Sequence, residues 1–157
     1  MSDIPQDNPF QSPAAPLQEP STTASTPLYS LGAAGIATFF GTPVAGSWVI
    51  AQNLKRLGRP KEVQAAWLVG LGITFLIFVL AWILPANFPA APINIAAVFA
   101  MLLYAKQNTR EALESHSAAG GTYISNWRVV GISLLILLAM IAVFLGVTFL
   151  LALAGHA

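Results

Sequence analysis

The sequence predicts an all-α membrane protein, a four-helix transmembrane bundle with a disordered N-terminal tail. The first observation is composition: 56% of the residues are hydrophobic and only 8% are charged, against about 25% charged residues in an ordinary soluble domain. The second is Val129–Ala154, a stretch of 26 residues without a charge. As a helix it would extend about 39 Å, which exceeds the ~30 Å hydrocarbon core of a bilayer. The third is another uncharged stretch, the 43 residues of 63–105.

The first 27 residues form the predicted tail. Six of the eleven prolines lie there, and its charged residues are Asp3, Asp7 and Glu19, with no lysine or arginine. Such a composition has too few apolar side chains to offset the entropy lost on ordering. It also lacks the basic start and the apolar run of a secretory signal. We therefore predict a disordered tail over 1–27 and a transmembrane domain over 28–157.

Residues 30–54 are predicted to form the first of the four spans. Small residues recur there at intervals of four, which places them on one helix face where another helix can approach closely. Pro43 lies near the middle and should kink the helix. A kinked helix that lines a cavity and a re-entrant segment are the alternatives to ordinary packing. The predicted helix-packing residues are Ala34, Thr38, Gly41, Thr42, Ala45 and Gly46.

The other three spans are predicted over 65–84, 88–105 and 129–154. Trp67 and Trp82 lie near the two ends of the second span, where tryptophans anchor helices at membrane interfaces. Three prolines within residues 85–92 separate the second span from the third, because no continuous helix carries so many. Beyond Ala105, charged residues spaced by four predict that the third helix extends into water.

All basic residues lie beside two of the predicted loops, one after the first span and one before the last. The remaining loop and the two ends of the chain contain none. The positive-inside rule makes these two loops cytoplasmic. A four-span protein of the cytoplasmic (inner) membrane would then have both its N- and C-termini outside. The residues predicted to set topology and to contact lipid headgroups are Lys55, Arg56, Arg59, Lys61, Lys106, Arg110 and Arg128.

Residues that could carry chemistry are scarce. The chain has no cysteine, and no charge lies within a predicted span, where ionisable residues mark proton pathways and active sites. Glu111, Glu114 and His116 are close in sequence, but a solvated helix face explains the two carboxylates. Two histidines, His116 and the distant His156, make no convincing metal site without carboxylates at ligand spacing. We therefore predict no enzyme activity, no metal, no cofactor and no nucleic-acid partner.

Three short segments carry a resemblance to known proteins. They are GTPVAG at residues 41–46, NLKRLGRP at 53–60 and SNWR at 125–128. Through these segments the four predicted spans resemble small multi-pass bacterial inner-membrane proteins of unassigned function, and the tail takes no part. The resemblance implies a location in the membrane and no activity.

Two functions remain open. The small residues of the first span favour a non-enzymatic accessory or structural subunit that acts through helix–helix packing. Its partners would be the lipid bilayer and either a second copy of the chain or another membrane protein. The alternative is a small oligomeric transporter or channel built around the span kinked at Pro43, where Thr38, Thr42 and Ser47 supply polar groups.

Overall fold

The computed structural model describes residues 26–155, and five α-helices contain most of them. They are α1 (Leu31–Phe40), α2 (Pro43–Arg56), α3 (Pro60–Ile83), α4 (Ala90–Ala118) and α5 (Asn126–Ala154). No β-strand occurs in this range, and Leu28 and Tyr123 form an isolated parallel bridge. The predicted disordered tail, apart from its last two positions, and His156 lie outside the described residues.

Three helices, α3, α4 and α5, are long and apolar enough to cross a membrane. Each coincides with an uncharged stretch whose ends the sequence marks. Pro60 occupies the first turn of α3, where its missing N–H is not needed, and Glu62 lies beside the positive end of the helix dipole. The helix ends at Ile83, just before the proline-rich turn. We conclude that the chain is a helical membrane protein with three apolar spans.

The predicted first span is wrong, because residues 30–54 form two short helices that fold back on each other. The side-chain amide of Asn53 hydrogen bonds to the backbone of Tyr29, so the outer ends of α1 and α2 lie together. Pro43 does not kink one helix. It opens a second helix at the first position, where proline is well tolerated, and the extended backbone of Thr42 turns the chain. The predicted four-helix bundle is thus replaced by three spans and a helical hairpin, the re-entrant alternative.

The hairpin lies at the centre of the bundle and reaches partway across it. The ten residues of α1 extend about 15 Å, half of the ~30 Å hydrocarbon core. α1 packs mainly on α4 and α5, and α2 packs mainly on α3. The hairpin therefore fills the space that three separated helices would otherwise leave.

Burial in the three spans stops at the level of the hairpin tip. On α3 the last buried residue is Thr74, and on α4 the first one is Ala97. On α5 every residue after Met140, as far as Gly155, is exposed. One half of the bundle is a packed unit of five helices, and the other half consists of three helices with little contact between them.

The packed half carries all the basic residues. Arg59, in the turn between α2 and α3, donates a 2.6 Å hydrogen bond to the carbonyl of Asn108 on α4. The backbone N–H of Leu28 donates a 3.1 Å hydrogen bond to the carbonyl of Thr122 in the turn before α5. The start of α1 and both basic turns therefore meet, and we call this the basic end of the molecule.

Candidate functional site

The hairpin tip is the first feature with functional potential, because two helix ends meet there inside an apolar environment. The N–H of Gly41 closes α1 by donating to the Ala37 carbonyl at 2.8 Å. The Thr42 carbonyl accepts the N–H groups of Ala45 and Gly46 at 2.9 and 3.2 Å, which starts α2. The Thr42 hydroxyl points to α5, and its Oγ1 lies 3.5 Å from the sulfur of Met140. The tip is thereby tied to α5 as well as to itself.

The predicted packing residues lie inside this tip and its two arms. A Cβ atom added to Gly46 would lie 3.1 Å from the carbonyl oxygen of Ala34 and closer still to Thr38 Oγ1. One added to Gly41 would lie 2.9 Å from the carbonyl oxygen of Ser133 on α5. Close approach of these helices therefore requires glycine at both positions. Thr42 is half-buried, and the others are buried within the chain: Ala34, Thr38, Gly41, Ala45 and Gly46.

The buried hydroxyl groups around the hairpin are satisfied locally. Thr38 and Ser133 each donate to the carbonyl four residues earlier, at 2.8 and 2.7 Å. Ser47 donates to the carbonyl of Val44 at 2.8 Å, and Thr74 donates to that of Gly70 at 2.8 Å. These bonds leave the hydroxyls without a proton to donate to a solute or ion. Their arrangement serves packing between helices.

A clamp at the basic end fixes the chain as it enters α1. Asn53, 3% exposed, accepts the N–H of Tyr29 and donates to its carbonyl, both at 2.8 Å. Arg56 donates to the carbonyl of Pro27, and its guanidinium carbon lies 5.3 Å from the centre of the Tyr29 ring. The Tyr29 ring meets Trp48 edge-on at 5.7 Å. The two ends of the hairpin are therefore locked by hydrogen bonds, a cation–π contact and an aromatic pair.

A second contact joins the α4–α5 turn to the same entry segment. The ring of His116, 3% exposed, has Nε2 3.1 Å from the Thr122 carbonyl that also accepts from Leu28. Gly121 packs directly against this ring, where a Cβ would clash. The other ring nitrogen, Nδ1, has no hydrogen-bond partner among the described residues. This arrangement makes His116 a structural support of the turn.

Two of the predicted headgroup residues form ion pairs. Arg59 pairs with Glu62 at 2.5 Å, and Arg110 pairs with Glu114 at 2.6 Å. The hydrogen bond and the charge of Glu114 raise the pKa of Arg110 above its ordinary value. Five basic residues have no ion pair within 26–155: Lys55, Arg56, Lys61, Lys106 and Arg128. The basic end is thus a rim of mixed charges with a positive excess.

The outer face of α5 is the third feature. At 100° per residue, Gly131, Ala142 and Gly146 lie within about 60° of one another, opposite the face on which Ser133 is buried. All three are exposed, and a Cβ added to Gly131 or Gly146 would meet no atom within 4 Å. This face presents small residues outward, whereas the predicted small-residue face is used within the chain.

Sequence reasoning missed the residues that hold the hairpin ends together. Asn53 is one of several side-chain amides near the ends of the predicted spans, and the sequence around it does not distinguish its role from that of Gln52. Gly70 on α3 also had no recognisable signal in the sequence. A Cβ atom there would lie 2.6 Å from Ser47 Cβ, so the close packing of α3 on α2 requires glycine. Within residues 26–155, no group of three or more His, Asp or Glu side chains could hold a metal ion.

Comparisons of the chain with models of protein families, with curated proteins and with solved structures found no match. The resemblance to small multi-pass inner-membrane proteins therefore stays a prediction.

Proposed function

We propose that the protein is a non-enzymatic subunit of the cytoplasmic membrane that acts through helix–helix packing, with its basic end in the cytoplasm. The observation that supports this proposal is the division of the molecule at the hairpin tip. The half beyond the tip exposes apolar helix faces that no other part of residues 26–155 covers, and α5 exposes all of its residues there. A membrane subunit that docks on another helix needs such a face.

The proposed orientation follows from the basic end and differs from the predicted one at the N-terminal side. Lysine and arginine concentrate on the cytoplasmic side of membrane proteins, and all seven lie at the basic end. Because the hairpin returns to the side on which it starts, residues 26–30 are cytoplasmic as well. The expected position outside depended on a crossing by 30–54. In this proposal the end of α5 stays on the opposite side of the membrane, where the sequence analysis also puts it.

Single cysteines test this orientation, because the chain contains none of its own. We expect Thr26→Cys and Ser117→Cys to resist a membrane-impermeant maleimide in intact cells and to react after permeabilisation. Asn87→Cys, in the opposite turn, should react in intact cells. Labelling of Thr26→Cys together with Asn87→Cys in intact cells would contradict the hairpin topology.

The partner face that we propose is the outer face of α5. Small residues allow helix backbones to come close, which strengthens van der Waals packing where lipid offers no hydrophobic driving force. Ala142 and Gly146 lie four residues apart on this face, and leucine or phenylalanine side chains surround them. Association could join two copies or this chain and another membrane protein.

Larger side chains on this face of α5 are expected to weaken association with the partner helix. The double substitution Ala142→Leu with Gly146→Leu should lower the yield of cross-linked complex in native membranes about tenfold, which corresponds to 1.4 kcal/mol. The fold should persist because both sites are exposed. Val143→Leu with Val147→Leu enlarges other exposed positions of the same helix and is the matched control. An equal yield from both doubles would argue against the proposed face.

The broken helix at the tip favours a second candidate, an oligomeric transporter or channel, because backbone ends inside a membrane commonly line a polar path. The locally bonded hydroxyls around the tip weigh against it. Flux of solutes into proteoliposomes that disappears in Thr42→Val would favour transport, and vesicles that stay sealed to a broad solute panel would favour the subunit.

A further inference from the structure

A polar cavity of about 350 Å³ opens at the basic end, between the start of α3 and the middle of α4. Arg59, Lys106, Arg110 and Glu111 line it. Lys106 directly follows the apolar part of α4, which ends at Ala105. The cavity therefore lies at the level where the headgroups of the surrounding lipid begin.

The basic groups in this cavity keep hydrogen-bond donors that the protein does not use. Arg59 donates through Nε and Nη2 to Glu62, and through Nη1 to the Asn108 carbonyl. A guanidinium has five N–H groups, so two are left. Arg110 donates only through Nε, to Glu114, which leaves four. Lys106 has no ion pair or side-chain hydrogen bond within 26–155, so its three N–H groups are available.

The cavity also contains an unused carboxylate. Glu111 has no ion pair among the described residues, whereas Glu62 and Glu114 offset the charges of the two arginines. The three cations of the lining are thus balanced by three carboxylates, and the local net charge is zero. Such a site has no preference for a net anion. It is complementary to a neutral ligand that carries a phosphate and a protonated amine together.

An apolar groove of about 370 Å³ also lies between α3 and α4, lined among others by Ile73, Leu80 and Ala97, but it is separate from the cavity. From Gln107, which lines the cavity, to Ala97 is ten residues, about 15 Å of helix, which is the hydrocarbon depth of one leaflet. The groove therefore lies mainly beyond the hairpin tip, and the cavity can contact only the headgroup region of a lipid at the basic end.

We propose that this cavity binds the headgroup of one phospholipid that carries ethanolamine, from the leaflet at the basic end. The phosphate accepts hydrogen bonds from Lys106 and from the free N–H groups of Arg59 and Arg110. The ammonium donates to Glu111. This inference requires the membrane location of the protein but does not depend on association through α5.

Lipid selectivity tests the proposal. The purified full chain is reconstituted in vesicles with equal amounts of phosphatidylethanolamine, phosphatidylcholine and phosphatidylglycerol, and tightly bound lipid is then measured by native mass spectrometry. We expect the wild type to enrich phosphatidylethanolamine at least threefold over the other two. Phosphatidylcholine has the same charges, but its quaternary ammonium cannot donate to Glu111.

Two substitutions separate the two halves of the headgroup site. Lys106→Gln should reduce bound phosphatidylethanolamine at least fivefold, because the phosphate loses its unpaired cation. Glu111→Gln makes the site positive and should shift the preference to phosphatidylglycerol. Lys55→Gln removes a basic residue elsewhere on the rim and should leave selectivity unchanged. All three side chains are exposed, so an unchanged unfolding temperature should accompany each result.

Three outcomes would overturn the proposal. The first is a wild-type preference for phosphatidylglycerol, which would indicate general attraction of anionic lipid to the basic end. The second is an equal loss of bound lipid in Lys55→Gln and Lys106→Gln. The third is a preference that Glu111→Gln leaves unchanged, since the carboxylate would then have no contact with the headgroup.

Discussion

Replacing Asn53 by leucine is expected to destabilise the protein by about 2–6 kcal/mol. Asn53 satisfies both the N–H and the carbonyl of Tyr29, a residue only 3% exposed. A leucine of similar size would leave both groups buried without a partner, and each costs about 1–3 kcal/mol. The loss should appear as a lower free energy of unfolding in mixed micelles, followed by tryptophan fluorescence, to which Trp48 beside the Tyr29 ring contributes.

The neighbouring amide provides the control. Gln52 lies on the same helix, is half-buried, and has no side-chain hydrogen bond in the described structure, so Gln52→Leu removes an amide without removing the clamp. We expect it to change stability by less than about 1 kcal/mol. If the two leucine variants unfold alike, the clamp contributes nothing to stability. Faster proteolysis before Ser30 in Asn53→Leu alone would support release of the entry segment.

A methyl group at Gly46 is the second large perturbation. In Gly46→Ala the new Cβ would overlap Thr38 Oγ1 and lie 3.1 Å from the Ala34 carbonyl oxygen. Because both arms of the hairpin are packed between three other helices, they cannot separate freely. Overpacking of this kind costs about 1–3 kcal/mol, and the unfolding free energy should fall by that amount.

A double-mutant cycle makes this prediction specific. Thr38→Ala removes the atom that the new methyl group meets first, so Gly46→Ala should cost less in that background, with a coupling of about 1 kcal/mol. Gly72→Ala adds a methyl group to α3 at a position with no atom within 4 Å and should be neutral or slightly stabilising. A cost at Gly46 that is independent of Thr38 would contradict the close packing of α1 on α2.

The three spans could be predicted because their signal is local. Each is a continuous apolar stretch with charged residues or prolines at one or both ends, and a bilayer imposes such an apolar stretch on any helix that crosses it. The basic end could be anticipated for the same reason, since the charges next to each span mark its ends. The extension of α4 to Ala118 likewise follows from charges spaced by four.

The hairpin could not be predicted from local pattern, because a single crossing helix and a helical hairpin both agree with the sequence of residues 30–54. An uncharged stretch of about 25 residues can cross once or enter and return, and Pro43 suits a kink as well as a new helix. The contacts that decide between them, from Asn53 to Tyr29 and from Gly46 to Ala34, join residues 24 and 12 positions apart. The spacing of small residues indicates that another helix packs closely on this one, but it does not identify which helix that is.

The depth of the hairpin tip has a consequence for the biogenesis of the protein. Residues 31–56 leave the ribosome before α3, α4 and α5, but their half-crossing cannot be stable alone in lipid, because the backbone ends at Gly41 and Thr42 would face hydrocarbon. In the described residues the later helices shield that turn, through Ser133 and Met140 among others. The hairpin, made before the three long helices, should therefore be the last of the helical segments to take its place, and a nascent chain arrested before α5 should leave it at the membrane surface on the side of the basic end.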